Sequence, residues 1–169
     1  GREARRGSAL IATLRPGGLV TMLFALAAAI VPLPDALAAF RPAWAAVVLL
    51  YWALAAPDRY GLIAAVLMGL ALDALTGTLL GEHAFGLLVI VYLAQRFYLQ
   101  LRAFPTSQLV LTIAALLALY EFLLFWIDGV AGVTVAPLER WAPVSSGCLM
   151  WLVFWYLFDG ERPETPARL

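Results

Sequence analysis

The sequence predicts an all-α integral membrane protein, a single bundle of about six transmembrane helices, and three observations carry that prediction. Of its 169 residues 64% are apolar and 13% charged, where a soluble domain carries about 25% charged residues. Six apolar stretches recur along the chain, parted by Pro, Gly and charge. The basic residues, all Arg, fall mostly on alternate loops. Six spans of about 20 residues take up most of the length, so residues 1–169 make one transmembrane domain.

The first stretch, residues 17–31, ends at Pro32-Leu33-Pro34-Asp35, and the second, 43–56, lies between Arg41-Pro42 and Pro57-Asp58-Arg59. Both fall short of a full span, so they extend into their flanks or are irregular. The third, 60–80, is interrupted only by Asp73, and the fourth, 84–101, carries Arg96 near its end. The fifth, 107–127, contains Glu121, and the sixth is 141–158. With the N-terminus in the cytoplasm, the inner side holds Arg2, Arg5, Arg6, Arg15, Arg59, Arg102, Arg162 and Arg168, and Arg96 snorkels toward it. The outer side keeps Arg41 and Arg140, so both termini are expected inside. Trp44, Trp141, Tyr60 and Tyr156 fall near segment ends, where interfacial aromatics belong. A rival reading takes Arg2–Arg6, the first apolar run and Ala36-Leu37-Ala38 as a cleaved signal peptide, leaving five spans and an outer N-terminus.

Inside the spans, Asp73 is the most informative residue. An Asp at a helix centre costs about 2.5–3.5 kcal/mol on insertion, so it is expected to face protein. Gly61, Ala65, Gly69, Asp73, Gly77 and Gly81 recur every four residues, and small residues at that spacing form a groove open to a second helix. Two readings stand side by side: a seam for a partner helix at Gly69, Asp73, Gly77 and Gly81, or small residues filling the chain's own core. Asp73 and Glu121 both lie ~10–12 Å below the outer interface in this topology. They are therefore expected either to share a proton or to be satisfied separately by nearby groups.

Other functions find little support. Zero net charge gives no footprint for nucleic acid. His83, the lone histidine, has no ligand spacing around it and reads as a turn residue or helix cap rather than a metal ligand. Gly69-Leu70-Ala71-Leu72-Asp73 departs from the Gly-x-Gly-Asp pattern of membrane aspartyl proteases, and Ser145-Ser146-Gly147 has no base nearby. No catalytic residue, cofactor site or metal site is expected. Asp128 reads as a solvated helix end and Cys148 as a buried structural thiol.

Pro32-Leu33-Pro34-Asp35, Phe40-Arg41-Pro42-Ala43-Trp44, the run from Leu49 to Pro57, Gly69–Asp73, Gly77–Gly81 with His83-Ala84, and Glu121 through Trp126-Ile127-Asp128 together resemble the rod shape-determining protein MreD family. The resemblance runs from about Val31 to Asp159. It implies a non-enzymatic inner-membrane subunit of the elongation machinery that regulates peptidoglycan synthesis and cell shape. The implied partners are a single-span MreC-like protein, an MreB-like filament, and a RodA-type polymerase with its transpeptidase. The family in turn resembles the six-helix substrate-binding subunits of energy-coupling-factor transporters, a likeness of fold that assigns no ligand. The turn Pro57-Asp58-Arg59 is expected at the cytoplasmic face, as an ordinary turn or a partner contact. Arg41, Pro42 and His83 are expected at the periplasmic face. The alternative function is a vitamin-like solute-binding subunit of a transporter, which requires an outward polar cavity near Asp73 and Glu121.

Overall fold

The computed structural model describes residues 16–34, 40–134 and 136–159. Among them are seven helices and no strand: α1 (Pro16–Ile30), α2 (Trp44–Ala55), α3 (Leu62–Thr76), α4 (Glu82–Arg96), α5 (Tyr98–Ala103), α6 (Thr106–Ala131) and α7 (Pro137–Asp159). The proposed cleavage site at Ala36-Leu37-Ala38, and Arg2, Arg5, Arg6, Arg15, Arg162 and Arg168, lie outside the described residues.

The centre of the bundle is α2. Every residue from Ala45 to Leu54 is buried, as expected of a helix that is apolar on all faces. It packs against α1, α4 and α7, and more lightly against α3 and α6. Its 12 residues reach only ~18 Å, less than the hydrocarbon thickness of about 30 Å. Its neighbouring helices enclose it, so its shortness leaves its backbone covered by protein. Trp52 on α2 ties down α1 by donating its indole N–H to Thr21 Oγ1 at 2.9 Å.

Around α2 the closest pair is α3 with α4, followed by α6 with α7. Of these helices α6, at 26 residues, has the length and apolar character to cross a membrane unaided. It extends ~39 Å. Helices α1, α2 and α3 are apolar but shorter.

Several expected boundaries move. The third segment ends at Thr76 instead of continuing to residue 80, because Gly77 takes φ +70° and turns the chain out of the helix. The fourth breaks at Phe97 into α4 and α5. That break places Arg96 on the exposed last residue of α4, not within a continuous span. Tyr60 faces into the bundle: it is 6% exposed, and its ring lies 5.0 Å from that of Trp52. A Cβ on Gly18 would meet the Tyr60 hydroxyl at 2.0 Å, so glycine at that position leaves room for the Tyr60 ring against α1. Tyr156, in contrast, is 80% exposed.

Candidate functional site

Four charged residues are buried among the described residues, Asp73, Glu82, Glu121 and Arg140, and the packing draws them toward one end of the bundle. Asp73 sits on the last turn of α3 and is 1% exposed. Its Oδ2 accepts the Gly81 backbone N–H at 2.8 Å. Its Oδ1 accepts the Thr78 hydroxyl at 3.0 Å and the His83 backbone N–H at 3.1 Å. His83 Nδ1 lies 2.7 Å from the same oxygen; an acceptor-only carboxylate puts the proton on that nitrogen. The side chain thus organises the whole turn from Thr76 to the start of α4. Left-handed backbone at Gly77 (φ +70°) and Gly81 (φ +100°) lets that turn curl back over the carboxylate.

This geometry corrects the expected groove. Gly69, Asp73, Gly77 and Gly81 do not share a helix face, since the helix stops before Gly77. Gly69 is filled from within the molecule: a Cβ there would lie 2.2 Å from Ala84 Cα on α4. The small residues serve the α3–α4 contact and the turn between those helices. No partner helix can enter at Gly69 without displacing α4.

The shared proton between Asp73 and Glu121 is also replaced. Among the described residues no hydrogen bond joins the two carboxyls. Glu121 on α6 lies 3.8 Å from Arg140 Nη1 on α7, and Arg140 Nη2 pairs with Asp128. Asp128 is therefore an ion-pair partner that holds the start of α7 against the end of α6, not a free solvated end. Tyr120, 2% exposed, stands between the two clusters with its ring 6.3 Å from that of His83.

Arg41, which precedes α2, reaches the end of α1, where its guanidinium donates to the carbonyls of Ala29 and of Val31, the latter at 2.6 Å. A cation on the last carbonyls of a helix satisfies acceptors that have no helical partner. Pro42 follows it, with its carbonyl accepting the Trp44 N–H at 2.8 Å. Arg41, Pro42, His83, Glu121 and Arg140 all line one cavity of 240 Å³. Pro57, Asp58 and Arg59 form the turn before α3, and Gln95, next to the end of α4, donates to the Pro57 carbonyl at 3.0 Å. Asp58 and Arg59 are exposed. Among the described residues no group of three His, Cys, Asp or Glu is placed to hold a metal ion.

Residue reasoning missed Glu82, Tyr120 and the pairing role of Arg140. Arg140 and Asp128 lie on different helices, joined only by the fold. Glu82 had a readable signal, an acidic residue at the first helical position.

The MreD family model, described as rod shape-determining protein MreD, matches residues 17–160. The chain belongs to the MreD family. The rod shape-determining protein MreD of Haemophilus influenzae is 39% identical over 71 residues, which is 42% of this chain and 44% of that protein. The aligned stretch spans less than half the length of that relative. No solved structure matches the chain. The family is described by a role in rod shape determination.

Proposed function

We propose that the chain is a multi-pass inner-membrane subunit of the rod complex, with both termini in the cytoplasm, that regulates peptidoglycan synthesis by binding the helix of a single-span MreC-like partner. In this reading the MreB-like filament, the RodA-type polymerase and its transpeptidase engage the same assembly. One observation supports it above others. With the glycine seam occupied by α4, the concavity left open on α3 is an apolar groove of 450 Å³ between α1 and α3. Leu19 and Leu23 of α1 and Ile63 and Leu67 of α3 stand more than half exposed along it, with Ala64 and Ala71 on its α3 side. Small residues between large ones let a second helix approach closely, which is where helix association in lipid gains its van der Waals contact. Arg59 lines the groove beside Tyr60, at the end the charge pattern assigns to the cytoplasm.

Filling the groove tests the reading. Ala64→Trp or Ala71→Trp is expected to reduce copurification of the MreC-like partner in mild detergent, while Leu111→Trp on the exposed face of α6 leaves it unchanged. Equal recovery with all three variants would contradict the reading. The transporter alternative draws no support from the cavity near Glu121, whose 240 Å³ falls below the usual range of about 300–1,000 Å³ for small-molecule pockets.

A further inference from the structure

The break at Phe97 between α4 and α5 is flanked by two concavities. One, of 360 Å³, is formed by residues 95–100 and carries Gln95, Arg96 and Gln100 in its walls. The other, of 210 Å³, is a largely apolar slot between Leu93 of α4, Leu101 of α5, Phe104, and Thr112 and Leu116 of α6. Phe97 and Gln100 line both, so the two adjoin. The polar concavity sits where the helices end, whereas Thr112 and Leu116 stand about two and three turns into α6. That order, polar at the helix ends and apolar along their length, is the order of a lipid's head and tail.

Charge narrows the headgroup. Arg96 and Arg102 are exposed, and among the described residues neither joins an ion pair, since those pairs all lie at the Asp73 end. Arg102 is held over the Tyr98 ring, 5.4 Å from its centroid, and donates to the Tyr98 hydroxyl. A second cation therefore stands beside the polar concavity, which Tyr98 also lines. Phe97 and Leu99 are 47% and 80% exposed next to them, as side chains seated in a bilayer interface are. We propose that the α4–α5 break binds one anionic phospholipid. Arg96 takes the phosphate, whose oxygens match the guanidinium fork, and Arg102 adds its charge nearby. Gln100, bordering both concavities, donates to the ester oxygens, and one acyl chain follows the slot past Leu93 and Leu116. A phosphatidylglycerol brings net negative charge to arginines that lack a carboxylate. A choline headgroup brings an ammonium against the same cations. The inference rests on the reading of the chain as a membrane protein and not on which partner occupies the α1–α3 groove.

Native mass spectrometry of the full chain in mild detergent, offered phosphatidylglycerol and phosphatidylcholine with the same acyl chains, reads the preference. The wild type is expected to retain phosphatidylglycerol several-fold more than phosphatidylcholine. Arg96→Gln is expected to remove that preference. Arg59→Gln is expected to keep it, although Arg59 lies in the turn that Gln95 holds through the Pro57 carbonyl. Both arginines are exposed, so both variants are expected to fold. Thr112→Trp, which fills the slot, is expected to lower retention of both lipids. Equal retention of the two lipids by the wild type would overturn the proposal. So would equal losses in Arg59→Gln and Arg96→Gln, which would assign the preference to diffuse charge, or undiminished retention in Thr112→Trp. An alkaline carbonate wash keeps the membrane reading separate: release of the chain from membranes would overturn that reading before any lipid is offered.

Discussion

Asp73 accepts its hydrogen bonds from residues five to ten positions further along the chain, so the neighbours that stabilise it come from its own turn and not from a distant helix. Removing the carboxylate leaves the Gly81 and His83 backbone N–H groups without acceptors in a site that is 1% exposed. Unpaired buried groups cost about 1–3 kcal/mol each, so Asp73→Ala is expected to lower stability by about 3 kcal/mol or more. Asp73→Asn is expected to cost less, because one amide oxygen still accepts while the amide nitrogen faces a donor. Thermal unfolding of both variants in detergent measures the difference, and equal, small losses would contradict the assigned geometry. At Gly77 the φ of +70° penalises any Cβ although no atom lies within 4 Å. Gly77→Ala should therefore cost about 1–2 kcal/mol, and Gly77→Asn, which tolerates left-handed backbone better, should cost less in the same assay.

Helices α3 and α4 form the tightest pair in the bundle, and Gly69 is the reason they can. The nearest atoms to a Cβ at that position are Ala84 Cα at 2.2 Å and Ala84 N at 2.5 Å. Because those are backbone atoms, the helices themselves have to separate. Gly69→Ala is expected to destabilise by about 1–3 kcal/mol, the range for overpacking. Ala84→Gly should fail to rescue it, since removing the Ala84 methyl leaves Cα and N in place. Rescue, measured as recovery of the unfolding midpoint in the double variant, would show that the contact is side chain to side chain. Gly86 plays a similar part between α4 and α6, where a Cβ would meet Tyr120 Cδ2 at 2.8 Å. The four-residue spacing of Gly61 to Gly81 was legible in the sequence, but spacing alone does not separate a packing glycine from a conformational one. Gly69 packs, whereas Gly77 and Gly81 turn the chain. The readable difference was Gly77 and Gly81 bracketing Thr78-Leu79-Leu80, a stretch with His83 just beyond it. Two glycines around a short loop after an apolar run mark a helix stop as readily as a groove.

At the scale of the molecule, apolar composition and segment order predicted the helical bundle, and α1, α2, α3, α4, α6 and α7 fall on the six expected segments. What the sequence hid was which helix the others enclose: α2 reads like any other apolar run, and only its neighbours make it the core. The candidate site was half legible. The cost of an intramembrane carboxylate singled out Asp73 and Glu121, while their partners, the turn for Asp73 and Arg140 for Glu121, depended on how helices meet. The fold uses up the glycine seam and leaves open the α1–α3 groove, which is the surface the proposed partner helix requires. Cysteine cross-linking tests this most directly. With Cys148 replaced by Ser, single cysteines at Leu23, Leu67, Leu111 and Phe125 would each be oxidised in membranes against a cysteine scan of the MreC-like partner's helix. The predicted result is disulfide product at Leu23 and Leu67 alone; product at Leu111 or Phe125 with none in the groove would contradict it.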